Sequence, residues 1–153
     1  MTDETVAPLL FPTPIARGVC RALVQRGFAT LTEFSLANGR RADVMGLGRG
    51  GELVIVEVKS SVPDFRSDEK WPEYRDYCDR FYFAVAEDFP RALIPEDCGL
   101  IVADAFGGAI LREAPSQALA AARRKAVTLS FALTGAERLR RLLDPTSSHS
   151  DII

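Results

Sequence analysis

The sequence is poor in the residues that build disulfide frameworks and histidine-rich metal centres. It has three cysteines and one histidine among 153 residues. Because Cys20, Cys78 and Cys98 are odd in number and widely spaced, we expect reduced core thiols rather than disulfides or a cysteine-ligated metal. His149 lies in the polar segment TSSHSDII and is not expected to be catalytic.

The sequence also lacks long apolar runs. No segment reaches the ~18 consecutive apolar residues that a membrane-spanning helix needs. The first residues, MTDETVAPLLF, begin acidic and lack the basic start and long apolar core of a secretory signal. We therefore predict a soluble protein of the cytoplasm with no membrane partner.

A strong excess of positive charge is missing as well. The formal net charge is −2, which is not typical of a nucleic-acid-binding protein. The charge is unevenly distributed, because residues 112–143 hold seven Arg or Lys and two Glu. Alone, this basic run predicts either a face that attracts phosphates or a solvated helix surface.

The hydrophobic content of 47% is enough for one domain, which we place at residues 13–143, with tails at 1–12 and 144–153. Thr13 and Pro14 predict the start of a first helix, and Gly27 predicts its end. The remaining pattern predicts the order α-β-β-β-α-β and then β-β-α. The predicted elements after the first helix are strands FATLTEFSL, ADVMGL and LVIVEVKS, a loop, a helix from Pro72 to about Asp79, strands RFYFAVA, CGLIVAD and AILRE, and one or two helices between Ser116 and Leu143.

The third predicted strand, LVIVEVKS, carries two charges at its end. Residues two apart in a strand share a face, so Glu57 and Lys59 point to one side and the valines beside them to the other. If the preceding turn is centred on Gly50, Asp43 of the neighbouring strand lies opposite Glu57. Two carboxylates and an ammonium then meet at the edge of an apolar sheet. The simpler alternative is a structural ion pair between Glu57 and Lys59.

Two opposed carboxylates repel each other and are costly to bury without compensation. A divalent cation supplies that compensation, and Mg²⁺ accepts one or two carboxylates together with water and phosphate oxygens. Such an ion polarises a phosphoryl oxygen and lowers the pKa of a bound water. Lys59 is then placed to hold the nucleophile or to stabilise charge on the phosphate.

These residues resemble the PD-(D/E)XK nuclease superfamily: Asp43 on strand two, then Glu57, Val58 and Lys59 ending strand three, with Ala42 where the motif has proline. The longer segments FSLANGRRADV, EVKSSVPDFRSDEKWPEY and YCDRFYFAV are similar to the MmcB-like DNA repair proteins. The resemblance implies an α/β fold, a restriction-endonuclease-like mixed sheet with an α-β-β-β-α-β core flanked by helices.

The resemblance also implies a DNA repair nuclease that hydrolyses phosphodiester bonds with Mg²⁺, for which Mn²⁺ can substitute. Asp43, Glu57 and Lys59 are the expected catalytic residues, and the Val58 carbonyl is the expected third metal ligand. DNA and other repair proteins are the expected partners. The alternatives are a catalytically silent module that binds DNA or recruits a repair partner, and RNA as the substrate.

Further residues are candidates for the site or for DNA contact. A strict two-residue turn at residues 38–39 would turn Glu33 away from Asp43, whereas a loop one residue longer would set the two opposite each other. Arg41 shares a face with Asp43, so we expect it either to pair with that carboxylate or to reach a phosphate.

The segment after strand three supplies the other candidates. Lys70 can meet a phosphate, and Trp71 either stacks on an unpaired base or packs in the core. Glu73 and Tyr77 have the spacing of a Gln-x-x-x-Tyr pattern found in related nucleases, which would put them on one helix face. Asp64 and Asp68 are expected to be loop and capping residues, with a supporting role at the site as the lesser alternative.

Overall fold

A six-stranded mixed sheet forms the centre of the structure, a computed structural model in which residues 12–145 are described. Most of the two predicted tails, including His149, lies outside this range. The six strands lie side by side in chain order: β1 (Phe28–Ser35), β2 (Arg41–Gly48), β3 (Leu53–Val58), β4 (Arg80–Val85), β5 (Gly99–Ala103) and β6 (Gly108–Arg112).

The strand directions change twice across the sheet. β1, β2 and β3 are joined by tight turns and pair antiparallel, and β3, β4 and β5 pair parallel. β6 returns antiparallel to β5. The parallel pairs need crossover connections, which the helical segments after β3 and the loop after β4 supply. The predicted mixed α/β sheet is therefore confirmed, and its architecture is compatible with a restriction-endonuclease-like fold.

Helices cover both faces of this sheet. α1 (Pro14–Gln25) begins at Thr13, whose hydroxyl accepts a hydrogen bond from the Ala16 amide at 3.4 Å, and it ends before Gly27, whose φ is 89°. On the opposite face lies the long α3 (Ala121–Leu143). Among the described helices, none is long and apolar enough to cross a membrane.

The chain between β3 and β4 differs from the prediction. The predicted loop contains a short helix, α2 (Val62–Ser67), whose Ser61 hydroxyl caps the amide of Asp64. The predicted helix from Pro72 is a 3-10 helix at Trp71–Tyr77. A proline at the second position of each helix is compatible with both helix types, so the sequence pattern alone does not distinguish them.

The core is divided by the sheet into two layers. Because side chains alternate along β3, Ile55 packs toward α3 and the 3-10 helix, whereas Val54 and Val56 pack toward α1. Glu57 and Lys59 follow Ile55 at two-residue spacing and therefore belong to the α3 side. All three cysteines are free thiols; Cys78 and Cys98 are buried in the core, and Cys20 is half-buried.

Candidate active site

Asp43 and Glu57 meet where β2 begins and β3 ends. β2 and β3 pair in the predicted register, and the pairing ends at Val44 and Val56, which lie next to Asp43 and Glu57. The Asp43 amide donates to Glu57 Oε1 at 3.0 Å, and the Val58 amide donates to Asp43 Oδ2 at 2.8 Å. The two carboxyl groups are thus fixed by each other's strands at the carboxyl end of the parallel strands.

The surroundings favour a proton on this pair. Burial and the nearby Asp43 carboxylate raise the pKa of Glu57 to about 9. Burial, with the charge of Glu33, also raises the pKa of Asp43. Burial and the repulsion between the two carboxylates therefore favour a proton on Glu57 in the metal-free protein.

Lys59 lies beside the pair but is bound elsewhere. Its side chain is buried, and its Nζ lies 2.7 Å from Asp68 Oδ2 and 4.0 Å from Asp64 Oδ1. The structural alternative of a Glu57–Lys59 ion pair is therefore not what the structure shows. Burial raises the pKa of Asp68, but hydrogen bonds from Lys59 and from the Lys70 amide outweigh it and hold that pKa below its usual value.

The pairing of β1 with β2 is interrupted at Glu33, whose charge lies close enough to Asp43 to affect its pKa. Thr32 pairs with Val44 and Phe34 with Ala42, so Glu33 falls opposite Asp43, as the longer-loop alternative predicted. Alone among the described non-glycine residues, Glu33 has a positive φ, of 50°. This left-handed conformation is unfavourable for glutamate.

Two arginines hold this strained residue. Arg138 of α3 donates to the carbonyl of Thr32 at 2.6 Å and to the carbonyl of Glu33 at 2.8 Å. Arg41 pairs with the Glu33 carboxylate at 2.6 Å instead of pairing with Asp43. No sequence pattern indicated the role of Arg138, because it lies about a hundred positions away in the chain.

The 3-10 helix places Tyr74, which the sequence analysis missed, beside the site. Its hydroxyl donates to the carbonyl of Arg41 at 3.1 Å, and its pKa is raised by burial and then by the charges of Glu57 and Asp43. With about three residues per turn, this helix does not put residues 73 and 77 on one face. Tyr77 lies instead under the Arg123 guanidinium, 4.6 Å from its ring centroid.

Trp71 packs in the core, as one of its two predicted alternatives. Its ring stacks on Phe81 with centroids 5.7 Å apart, and the Arg75 guanidinium lies 4.9 Å from its centroid. A ring engaged in this way has little surface left for stacking on a base. Lys70 and its neighbour Arg66 are exposed, and within residues 12–145 neither side chain has an ion-pair or hydrogen-bond partner.

Much of the basic C-terminal third points into the protein. Arg124 binds Asp79 and the Gly51 carbonyl near the start of β3, whereas Glu57 lies near the end of that strand. Arg112 donates to two backbone carbonyls, and Arg138 supports β1. The expectation of a phosphate-attracting face therefore applies to few of these residues. Lys125 is exposed and, in the described part of the chain, has no ion-pair partner.

The donor set suits a hard divalent cation held largely by water and phosphate. In residues 12–145 no group of three or more acidic, histidine or cysteine side chains is arranged to hold a metal. Asp43 and Glu57 supply two carboxylates, which is as many as Mg²⁺ commonly takes from a protein. Burial raises the pKa of both groups by more than the charge of Lys59 lowers it, and a bound cation would compensate the pair further.

Comparisons with known proteins find similar chains over nearly the whole domain. The family described as DNA repair protein MmcB-like matches residues 12–146. The structure is similar to that of a protein of unknown function from Silicibacter pomeroyi, with a TM-score of 0.87 and 46% sequence identity over 91% of this chain and 95% of the other. No curated protein matches the chain.

Proposed function

The chain belongs to the MmcB-like DNA repair family, and on that premise we propose that it is a metal-dependent nuclease of the PD-(D/E)XK type acting on damaged or structured DNA. Family membership indicates a role in DNA repair. The observation that supports hydrolysis is the Asp43–Glu57 pair, in which Glu57 is buried and Asp43 half-buried, with the buried Lys59 two residues after Glu57.

In this proposal Asp43 and Glu57 hold Mg²⁺ or Mn²⁺, and the Val58 carbonyl is the third protein ligand. The bound cation would polarise a phosphoryl oxygen and make a coordinated water a stronger nucleophile. Glu57 must lose its proton before it can act as a ligand, because ligands bind metals in their deprotonated form. Lys59 places an ammonium beside the reacting phosphate, where it offsets developing negative charge.

DNA would be held by the Arg and Lys side chains near the end of β3. Lys70 and Arg66 are exposed on the segment that also carries Asp68. Arg41 is two thirds exposed and pairs with Glu33, so a phosphate can compete for its guanidinium. Glu33 would then be free to act as an additional carboxylate at the site.

The test is cleavage of a panel of branched, single-stranded and crosslinked DNAs, with a matched RNA, in the presence of Mg²⁺, Mn²⁺ or chelator. We expect at least one DNA to be cut only with metal. Asp43→Asn, Glu57→Gln and Lys59→Ala should each abolish cleavage while the protein stays folded. Wild-type rates in Glu57→Gln or Lys59→Ala would refute the assigned site, and cleavage of RNA alone would change the substrate.

A second candidate is a catalytically silent module that binds DNA or recruits a repair partner. It is favoured by the engagement of Lys59 with Asp68 and by the absence, within residues 12–145, of a group of three or more acidic, histidine or cysteine side chains that could hold a metal. Binding of the same DNAs without cleavage under any metal condition would support this reading. Competition by high salt would then show whether phosphate contacts dominate the binding.

A further inference from the structure

We infer that Asp68 is a positioning residue for Lys59, holding the lysine away from the carboxylate pair so that a cation can occupy it. The inference rests on the proposed function and adds a residue to it. Asp68 does not belong to the Asp43, Glu57 and Lys59 constellation, and it lies on the segment between α2 and the 3-10 helix.

The first observation is where the Lys59 ammonium lies. Glu57 and Lys59 share one face of β3 at two-residue spacing, a distance at which an ion pair forms readily. Lys59 Nζ nevertheless lies 2.7 Å from Asp68 Oδ2, and no ion pair to Glu57 or Asp43 is present among the described residues. Some feature must therefore compete successfully with two nearby carboxyl groups for the ammonium.

The second observation is that Asp68 is itself held in place. Its Oδ1 accepts a hydrogen bond from the amide of Lys70, the residue before Trp71, at 2.9 Å. Its Oδ2 is left for Lys59. Because Trp71 is packed on Phe81, the backbone that orients this carboxylate is anchored in the core.

The consequence concerns both the lysine and the metal site. A lysine side chain has a flexible four-carbon stem and a point charge, so it is poorly oriented without a fixed partner. If Asp68 did not hold it, the ammonium would be expected to move onto Glu57 and Asp43 and compete with a cation for them. Asp68 thus keeps the carboxylate pair available and the ammonium at a defined position beside it.

Asp68→Asn is the test variant, because asparagine keeps an acceptor for the Lys70 amide but removes the charge. Glu69→Gln is the matched control, since it removes the same charge from the next residue, which is exposed. Two measurements do not depend on cleavage: the rise in melting temperature with Mn²⁺, and the labelling of Lys59 by an amine-reactive reagent, read by mass spectrometry with Lys70 as internal reference.

For Asp68→Asn we expect Lys59 labelling that Mn²⁺ accelerates, because the cation displaces the ammonium from the carboxylate pair, and about tenfold weaker apparent Mn²⁺ affinity, the lower end of the loss seen when an outer partner of a metal site is removed. Glu69→Gln should match the wild type in both. A purely structural Asp68 predicts a lower melting temperature in chelator, an unchanged metal response, and Lys59 labelling that Mn²⁺ does not accelerate. That result would overturn the inference.

Cleavage separates this inference from the proposed function. If the wild type cuts DNA and Asp68→Asn cuts at the same turnover number, the inference fails and the proposed function stands. If the wild type cuts nothing and shows no Mn²⁺ response, the proposed function fails and the metal part of the inference fails with it. Should Asp68→Asn not fold, Asp68→Glu keeps the charge but moves it by one methylene; a lowered turnover number at unchanged KM supports positioning, and an unchanged one refutes it.

Discussion

The carboxyl groups of Asp43 and Glu57 are held by reciprocal contacts between β2 and β3: the Asp43 amide donates to Glu57, and the Val58 amide donates to Asp43. Neither carboxyl can leave without breaking a hydrogen bond of the opposite strand. This fixation keeps two acidic groups together despite their repulsion, and burial, together with that repulsion, raises the pKa of Glu57.

The first prediction concerns pH. Glu57 has a pKa of about 9 in the folded protein, against an ordinary value of 4.5. The folded state therefore binds a proton more tightly than the unfolded state, and this contribution to stability is complete below the ordinary pKa and is lost as the pH rises. Between about pH 5 and about pH 9, the unfolding free energy of the metal-free wild type should fall more steeply than that of Glu57→Gln. The difference in slope should be up to about 1.4 kcal/mol per pH unit.

Urea titrations of both proteins in chelator, repeated across that pH range, measure the difference. Parallel stability curves for the two proteins would contradict the raised pKa. A steeper fall in Glu57→Gln would mean that another group dominates the pH response.

The second prediction separates a metal site from a structural pair. In Asp43→Asn the new amide oxygen can still accept the hydrogen bond from the Val58 amide, while the repulsion between two carboxylates is removed. This variant should therefore be as stable as the wild type in chelator, or more stable, yet should lose the stabilisation that millimolar Mg²⁺ or Mn²⁺ gives by binding the folded state. Melting curves with chelator and with metal decide this.

Glu57→Gln measured in parallel is the control for the second prediction, because Arg41 sits near Asp43 through its pair with Glu33. A large loss of stability in both variants, independent of metal, would instead indicate a structural role. Removing one partner of a buried ion pair typically costs about 3–5 kcal/mol.

The third prediction tests the strained residue of β1. Glycine in a strand usually costs about 0.5–1 kcal/mol relative to alanine, but at a left-handed position it relieves strain of roughly the same size or more. Glu33→Gly should therefore leave the unfolding free energy unchanged or raise it, despite losing the exposed pair with Arg41. Thr32→Gly, one residue earlier, should lower it. Equal losses in the two variants would show that the conformation at Glu33 carries no strain.

Most of the fold follows from the sequence because the strands are short, apolar and separated by strong turn signals. All six predicted strands and the first helix are confirmed. The register of Asp43 with Glu57 followed from the glycine-rich turn, since a turn fixes which residues lie opposite each other. The register of Glu33 did not follow, because the residues 36–40 allow two loop lengths.

What could not be predicted depends on contacts between distant parts of the chain. Lys59 was correctly placed on the face of Glu57, but its partner Asp68 lies beyond a helix that the proline-containing segment did not reveal. Tyr74 was missed because a helix of 3.6 residues per turn was assumed where a tighter one formed. The partners of Arg124 and Arg138 are strand ends, which no local pattern in α3 indicates.

The fourth prediction distinguishes two adjacent cations of α3. Arg124 binds the buried Asp79. Burial raises the pKa of Asp79, but hydrogen bonds from Arg124 and from the Leu53 amide outweigh burial and hold that pKa below its usual value. Arg124→Ala leaves that carboxylate without its partner and should cost about 3–5 kcal/mol of unfolding free energy. Lys125→Ala should change it by less than about 0.5 kcal/mol. Urea denaturation measures both, and a mild Arg124→Ala would show that Asp79 is satisfied by the backbone alone.

The last prediction locates the phosphate contacts of the proposed nuclease. Arg66 and Lys70 are exposed beside Asp68, near the carboxyl end of β3, whereas Lys125 follows Arg124 at the opposite end of that strand. If DNA lies across the candidate site, Arg66→Ala and Lys70→Ala should each weaken binding of all sequences and reduce the slope of log Kd against log salt by about 0.7–0.9, the value for one phosphate contact.

Lys125→Ala removes the same charge from the same protein and should leave that slope unchanged. Fluorescence anisotropy with a labelled DNA in Ca²⁺, at several salt concentrations, gives the slopes without cleavage. A reduced slope in Lys125→Ala with unchanged slopes in the other two variants would place DNA on α3 instead. The carboxylate pair would then lie at the other end of β3 from the bound DNA, too far to reach a phosphate. The nuclease assignment would therefore fail.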